Sequence, residues 1–285
     1  MKNFIFFALI LSLFLSACRS APVHQVPEGE LSAVLVFDRI EAENPNHLAL
    51  YFTLETDNPF PVSDRIILQS RHLEVNGQRA AYGFTVEYPQ PRDFQLSASA
   101  SNSFPVRVNL DMTALAEQGL APADEFQVRL YLGLGLSNLP ARLEVSGLAV
   151  FPGVQTPVFT ITAIAVLRAE LINTRFRVSL RIDNPNPFPV VLHSISYALY
   201  GDGVLWADGI DRDIVRVEAR SSVQGNLHLL MNFIDMSRAL LDRIIHMDSV
   251  NYRFTGTAQI NTGIDFLPSF KTDFDLSGYS QVFDD

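Results

Sequence analysis

Cys18 is the only cysteine in the sequence and stands directly after Leu15-Ser16-Ala17. A lone thiol cannot close an internal disulfide, so in an exported chain it must have another use, and a thioether to lipid is one. Asp208, Asp211 and Asp213 lie within 208–213, close enough to offer oxygen ligands to calcium. They match no EF-hand spacing and Arg212 sits among them, so a solvated acidic loop is the favoured reading. The six histidines, His24, His47, His72, His193, His228 and His246, fall in no spacing suited to zinc. A Gly-x-Ser-x-Gly elbow, a phosphate-binding glycine loop and a dinucleotide fingerprint are absent. No catalytic residue, metal or cofactor is therefore expected, and the chain reads as a non-enzyme.

The segment before Cys18 explains how its thiol would meet lipid. Lys2 opens the chain, residues 4–15 are almost wholly apolar, and Ser16 and Ala17 are small. A basic start, a short apolar run and small residues at the cut mark a secretory signal, and the run is short for a membrane span. Leu15-Ser16-Ala17-Cys18 resembles the lipobox of bacterial lipoproteins. That resemblance implies cleavage after Ala17 and a multiply acylated Cys18, which suffices for stable anchoring where a single chain does not. Arg19 replaces the Asp that retains many enterobacterial lipoproteins in the inner membrane, pointing to the outer membrane, facing the periplasm or the cell surface. Residues 1–17 are thus read as signal peptide and 18–29 as a lipidated tether.

The charge balance narrows the partners. Lys and Arg number 21 against 31 Asp and Glu, a formal net charge of −10. Phosphate recognition needs a basic face, so nucleic acid is not expected as a partner. Attachment to the membrane should rest on the lipid of Cys18 rather than on anionic headgroups. The length beyond the signal favours two domains.

An internal repeat divides the chain. Residues 47–62 resemble 175–190 when Phe60 is set on Phe188, and in both segments apolar residues alternate as in a strand with one buried face. Asn76-Gly77 and Asp202-Gly203 follow as two-residue hairpin turns. Asp111-Met112-Thr113 and Asp235-Met236-Ser237 open helical segments, the first ended by Gly119 and the second capped by Asn232 or Asp235. Leu143-Glu144-Val145-Ser146-Gly147 and Phe274-Asp275-Leu276-Ser277-Gly278 close the two copies alike. The boundary falls in the proline-containing stretch 151–157, giving domains over 30–152 and 155–285. Each alternating strand ends in a proline motif: Asn58-Pro59-Phe60-Pro61 in the first copy and the longer Asn184-Pro185-Asn186-Pro187-Phe188-Pro189 in the second. Proline withholds a backbone donor and asparagine favours a turn, so the ladder must stop there, with Phe60 or Phe188 expected to plug one end of a core.

At these residues the sequence resembles the WHy (water stress and hypersensitive response) domain of the late embryogenesis abundant group 2 proteins. The resemblance covers both halves, with the first one Asn-Pro short. It implies two tandem antiparallel β-sandwiches of immunoglobulin or fibronectin-III kind, each with one helix, and a role in desiccation tolerance rather than catalysis. The composition, 48% hydrophobic and 11% aromatic, independently fits folded domains. The expected function is a non-catalytic, membrane-anchored lipoprotein that binds or shields envelope components under desiccation or osmotic stress. The alternative is an adaptor for a specific envelope protein, for which the aromatic, proline-punctuated region 82–94, with Phe84, Tyr88 and Phe94, is the candidate lip; covering the core edge is the favoured role for those rings.

Overall fold

The computed structural model describes residues 31–88, 93–138, 142–168, 174–231, 250–280 and 282–284. The signal segment, the tether with Cys18, and the helix expected after Met231 lie outside these residues.

Strand-forming alternation dominates, and the described structure is mainly β. The first half contains β1 (Ser32–Asn44), β2 (His47–Asn58), β3 (Asp64–Val75), β4 (Gln78–Arg79), β5 (Phe84–Glu87), β6 (Asp93–Leu96), β7 (Ala100–Asp111), β8 (Glu125–Leu136) and β9 (Arg142–Pro152). They form two antiparallel sheets, β1-β2-β7-β5 and β4-β3-β8-β9, with β6 added beside β3. Leu50, Phe52 and Leu54 from the first sheet and Leu73, Leu130 and Leu132 from the second meet in one core. These residues sit at alternate positions, as a strand buried on one face requires.

The second half contains β10 (Val158–Arg168), β11 (Thr174–Asp183), β12 (Val190–Gly201), β13 (Val204–Asp211), β14 (Val215–Val217), β15 (Ser222–Met231), β16 (Val250–Ile264), β17 (Leu267–Ser280) and β18 (Val282–Asp284). Its sheets run β15-β11-β10-β18 and β13-β12-β16-β17, with β14 beside β12. Phe176, Val178 and Leu180 meet Leu199, Trp206 and Phe254 in a second core. The order matches that of the first half except at two edges. There β5 extends the first half beyond β7, whereas β18 extends the second beyond β10. The β10–β18 pairing is parallel, an exception to the all-antiparallel expectation.

The helix α1 (Met112–Glu117) begins at Asp111, whose carboxylate accepts from the N–H groups of Thr113 and Ala114. Gly119 follows its end at φ 75°, the left-handed geometry expected of a stop glycine. No helix among the described residues is long and apolar enough to cross a membrane.

Candidate functional site

The two proline motifs are built around asparagines rather than phenylalanines. Asn58, Asn184 and Asn186 are at most 3% exposed, whereas Phe60 and Phe188 are half-buried and only lean on their cores. A buried amide must find partners, and each one does. Asn58 Nδ2 donates to the carbonyls of Val62 (3.1 Å) and Ser97 (2.8 Å), and its Oδ1 accepts from Phe60 N (3.2 Å). Asn184 Nδ2 donates to Phe188 O (2.8 Å), Val217 O (3.3 Å) and Glu218 O (3.0 Å), and its Oδ1 accepts from Asn186 N (3.0 Å). The prolines end the ladder, and the amides satisfy the carbonyls that the ended ladder leaves open.

This pattern corrects the register of the repeat. Phe60 O accepts from Ser99 N and Asn186 O accepts from Arg220 N; Ser99 and Arg220 both have positive φ. Asn58 therefore matches Asn184, and Phe60 matches Asn186 rather than Phe188. The same register carries Asn76-Gly77 onto Asp202-Gly203 without a gap, whereas setting Phe60 on Phe188 would need a shift of two positions between motif and turn. Two asparagines in succession make Asn186 look like the counterpart of Asn58; only the hydrogen bonds separate them.

Asn186 gives the second motif a contact that the first lacks. Its Nδ2 donates to Gln155 O (2.8 Å) and its Oδ1 accepts from Gln155 N (2.7 Å), so it pairs with the connector as a strand neighbour would. Arg220, in the β14–β15 turn and bonded through its N–H to Asn186 O, forms an ion pair with Asp124 of the first half. Phe266 packs against both cores and meets Phe151 edge-on at 6.0 Å. Nothing in the sequence pattern singles out Gln155 within the connector.

The remaining candidates separate. Asp208 is exposed and Asp211 half-buried in β13, and Asp213 is exposed beyond it. Asp213 N donates to Asp211 Oδ1 at 2.8 Å. Among the described residues no three His, Cys, Asp or Glu side chains gather as metal ligands. Burial first, then the charges of Asp211 and Asp208, raises the Tyr197 phenol above its ordinary value. In the region 82–94, Phe84 and Tyr88 pack against the first core, β5 pairs with β7, and Tyr82 is 50% exposed. The side chain of Phe94 lies outside the described residues. His72 stacks on Tyr131 with ring centroids 4.3 Å apart, a packing role.

A family model described as late embryogenesis abundant protein matches residues 179–274. The match starts within β11, ends within β17 and includes the Asn184 motif, which supports a late-embryogenesis-abundant type of family for that part of the chain. No curated protein matches. Among solved structures, a protein from Archaeoglobus fulgidus is 16% identical over 45% of this chain and 97% of its own, with a TM-score of 0.30. A protein from Arabidopsis thaliana is 12% identical over 46% of this chain and 85% of its own, with a TM-score of 0.37.

Proposed function

We propose that the chain is a lipoprotein anchored through Cys18, in which two tandem WHy-like, immunoglobulin-type sandwiches bind or shield envelope components under desiccation or osmotic stress. The observation that carries this reading is the late embryogenesis abundant match over 179–274, which coincides with the fully hydrogen-bonded Asn184 turn. The matching strand orders of the halves and their shared Asn58 and Asn184 bonding support a duplicated domain. The proposed role is non-catalytic, and the lipobox resemblance with Arg19 behind it supports an envelope location on the outer membrane.

Two measurements test it. Mass spectrometry of the purified protein should find a diacylated thioether on Cys18 and none in Cys18→Ser, which should leave the membrane fraction. A deletion strain should lose survival after drying and osmotic shock; survival equal to wild type would defeat the stress reading while leaving the lipoprotein reading intact. The adaptor alternative is favoured by one asymmetry, that β5 is added to β7 in the first half alone among the described residues. In-cell crosslinking to one or two proteins rather than many would select it.

A further inference from the structure

At one interior position of matched register the second half lacks a side chain that the first half has. In the first half Phe104 of β7 pairs with Leu54 of β2 and packs partly against the core. Leu54 lies four residues before Asn58, as Leu180 lies four before Asn184. Leu180 pairs with Gly225 of β15. Gly225 therefore stands where the first half has Phe104. Its neighbours on the same face, Val223, Leu227 and Leu229, turn to the core as the alternation requires. A Cβ placed on Gly225 would meet nothing within 4 Å.

The missing side chain leaves a crevice of about 130 Å³ between the sheets. Leu180 and Ile182 line one wall, and Leu192, Ile195 and Val215 the other. An apolar cavity of roughly 150 Å³ can take up a molecule the size of benzene. The mouth carries charge. Asp211 of β13 pairs with Ile195 of β12, so its register turns it toward the interior, and Asp211 and Asp213 both line the crevice. No cation pairs with either carboxylate among the described residues.

These features select the ligand. Calcium takes about six to eight oxygen ligands, more than Asp211, Asp213 and Asn226 bring to a lining that is otherwise aliphatic. A neutral apolar guest would cover Asp211 without compensating its charge, which is costly. An ammonium on a small apolar body satisfies both parts. We propose that this crevice binds a small organic cation, a primary ammonium carried on a short aliphatic or aromatic group, with the apolar part between the sheets and the nitrogen at Asp211 and Asp213.

Calorimetric titration of the full-length protein with benzylammonium, benzyl alcohol and benzoate tests the site. Benzylammonium should bind one to one and about tenfold more tightly than benzyl alcohol, the size of effect a single close charge pair supplies, and benzoate should give no heat. Asp211→Asn should erase the preference for the ammonium. Gly225→Phe, which copies the first half, should abolish binding while the Trp206 emission and melting temperature stay unchanged. If that variant unfolds, Gly225→Ala takes its place and should weaken binding severalfold. Equal binding of all three probes, binding retained by a folded Gly225→Phe, or displacement of benzylammonium by submillimolar calcium would each overturn the proposal.

Discussion

At the buried asparagines, an amide side chain takes the place of a strand neighbour. Asn184→Ala leaves the carbonyls of Phe188, Val217 and Glu218 without their shared donor in a nearly water-free position, so a loss of about 3 kcal/mol is expected, read from the denaturant midpoint. Ala at the exposed Asp208 should change that midpoint little. The same locality argument explains what the sequence hid. Asn-Pro was legible as a turn because its effect is confined to neighbouring residues; that the amide is buried depends on carbonyls more than thirty positions away, which no local pattern reports. A second residue-scale test concerns Tyr197, whose phenol is raised by burial and then by Asp211 and Asp208. Because the folded state holds this proton more tightly than the unfolded state, its contribution to stability is complete below the ordinary tyrosine value of about 10 and is lost as pH rises through the folded value. Asp211→Asn should move the Tyr197 titration downward, as measured by the absorbance of tyrosinate.

Strands and hairpins were the most legible elements, because alternation and turn chemistry act within a few residues. Asn76-Gly77 and Asp202-Gly203 have φ of 51° and 79°, and 47° and 82°, the doubly positive geometry of a tight hairpin that twists with its strands. Gly77 and Gly203 have open space where a Cβ would stand, so replacing either with Ala should cost only the backbone term, about 1 kcal/mol, measured by chemical denaturation. What escaped at this scale was pairing across insertions. The meaning of Gly225 emerges only when Leu180 and Leu54 are known to be counterparts. The signal was present in outline: Val223, Leu227 and Leu229 keep the apolar period and Gly225 breaks it. Likewise the sequence around β5 reads as a loop lip, because joining β7 rather than remaining beside β3 is a choice of tertiary contact and not of local propensity.

For the whole molecule, the junction couples the unfolding of the halves. Phe266 touches both cores, Asn186 pairs with Gln155, and Arg220 meets Asp124. The halves should therefore melt in a coupled transition, and Phe266→Ala, which removes a half-buried ring from both, should separate it into two at a cost of about 2 kcal/mol. Trp206, the only tryptophan and 1% exposed in the second core, reports that half alone. Its emission should shift to longer wavelength at a different temperature from the circular dichroism change only in the variant. Two separate cores accord with the repeat; the contacts across the joint carry no sequence signal, since Gln155 and Phe266 belong to no motif. The parallel pairing of β10 with β18 has a mechanical consequence. Ile164, Ala165 and Val166 face Val282, Phe283 and Asp284 along strands pointing the same way. A pull on the start of one and the end of the other loads all their hydrogen bonds together in shear, instead of opening them one after another like a zip. Force applied along these strands should therefore meet more resistance in the half that carries this clasp than a peeling geometry would offer.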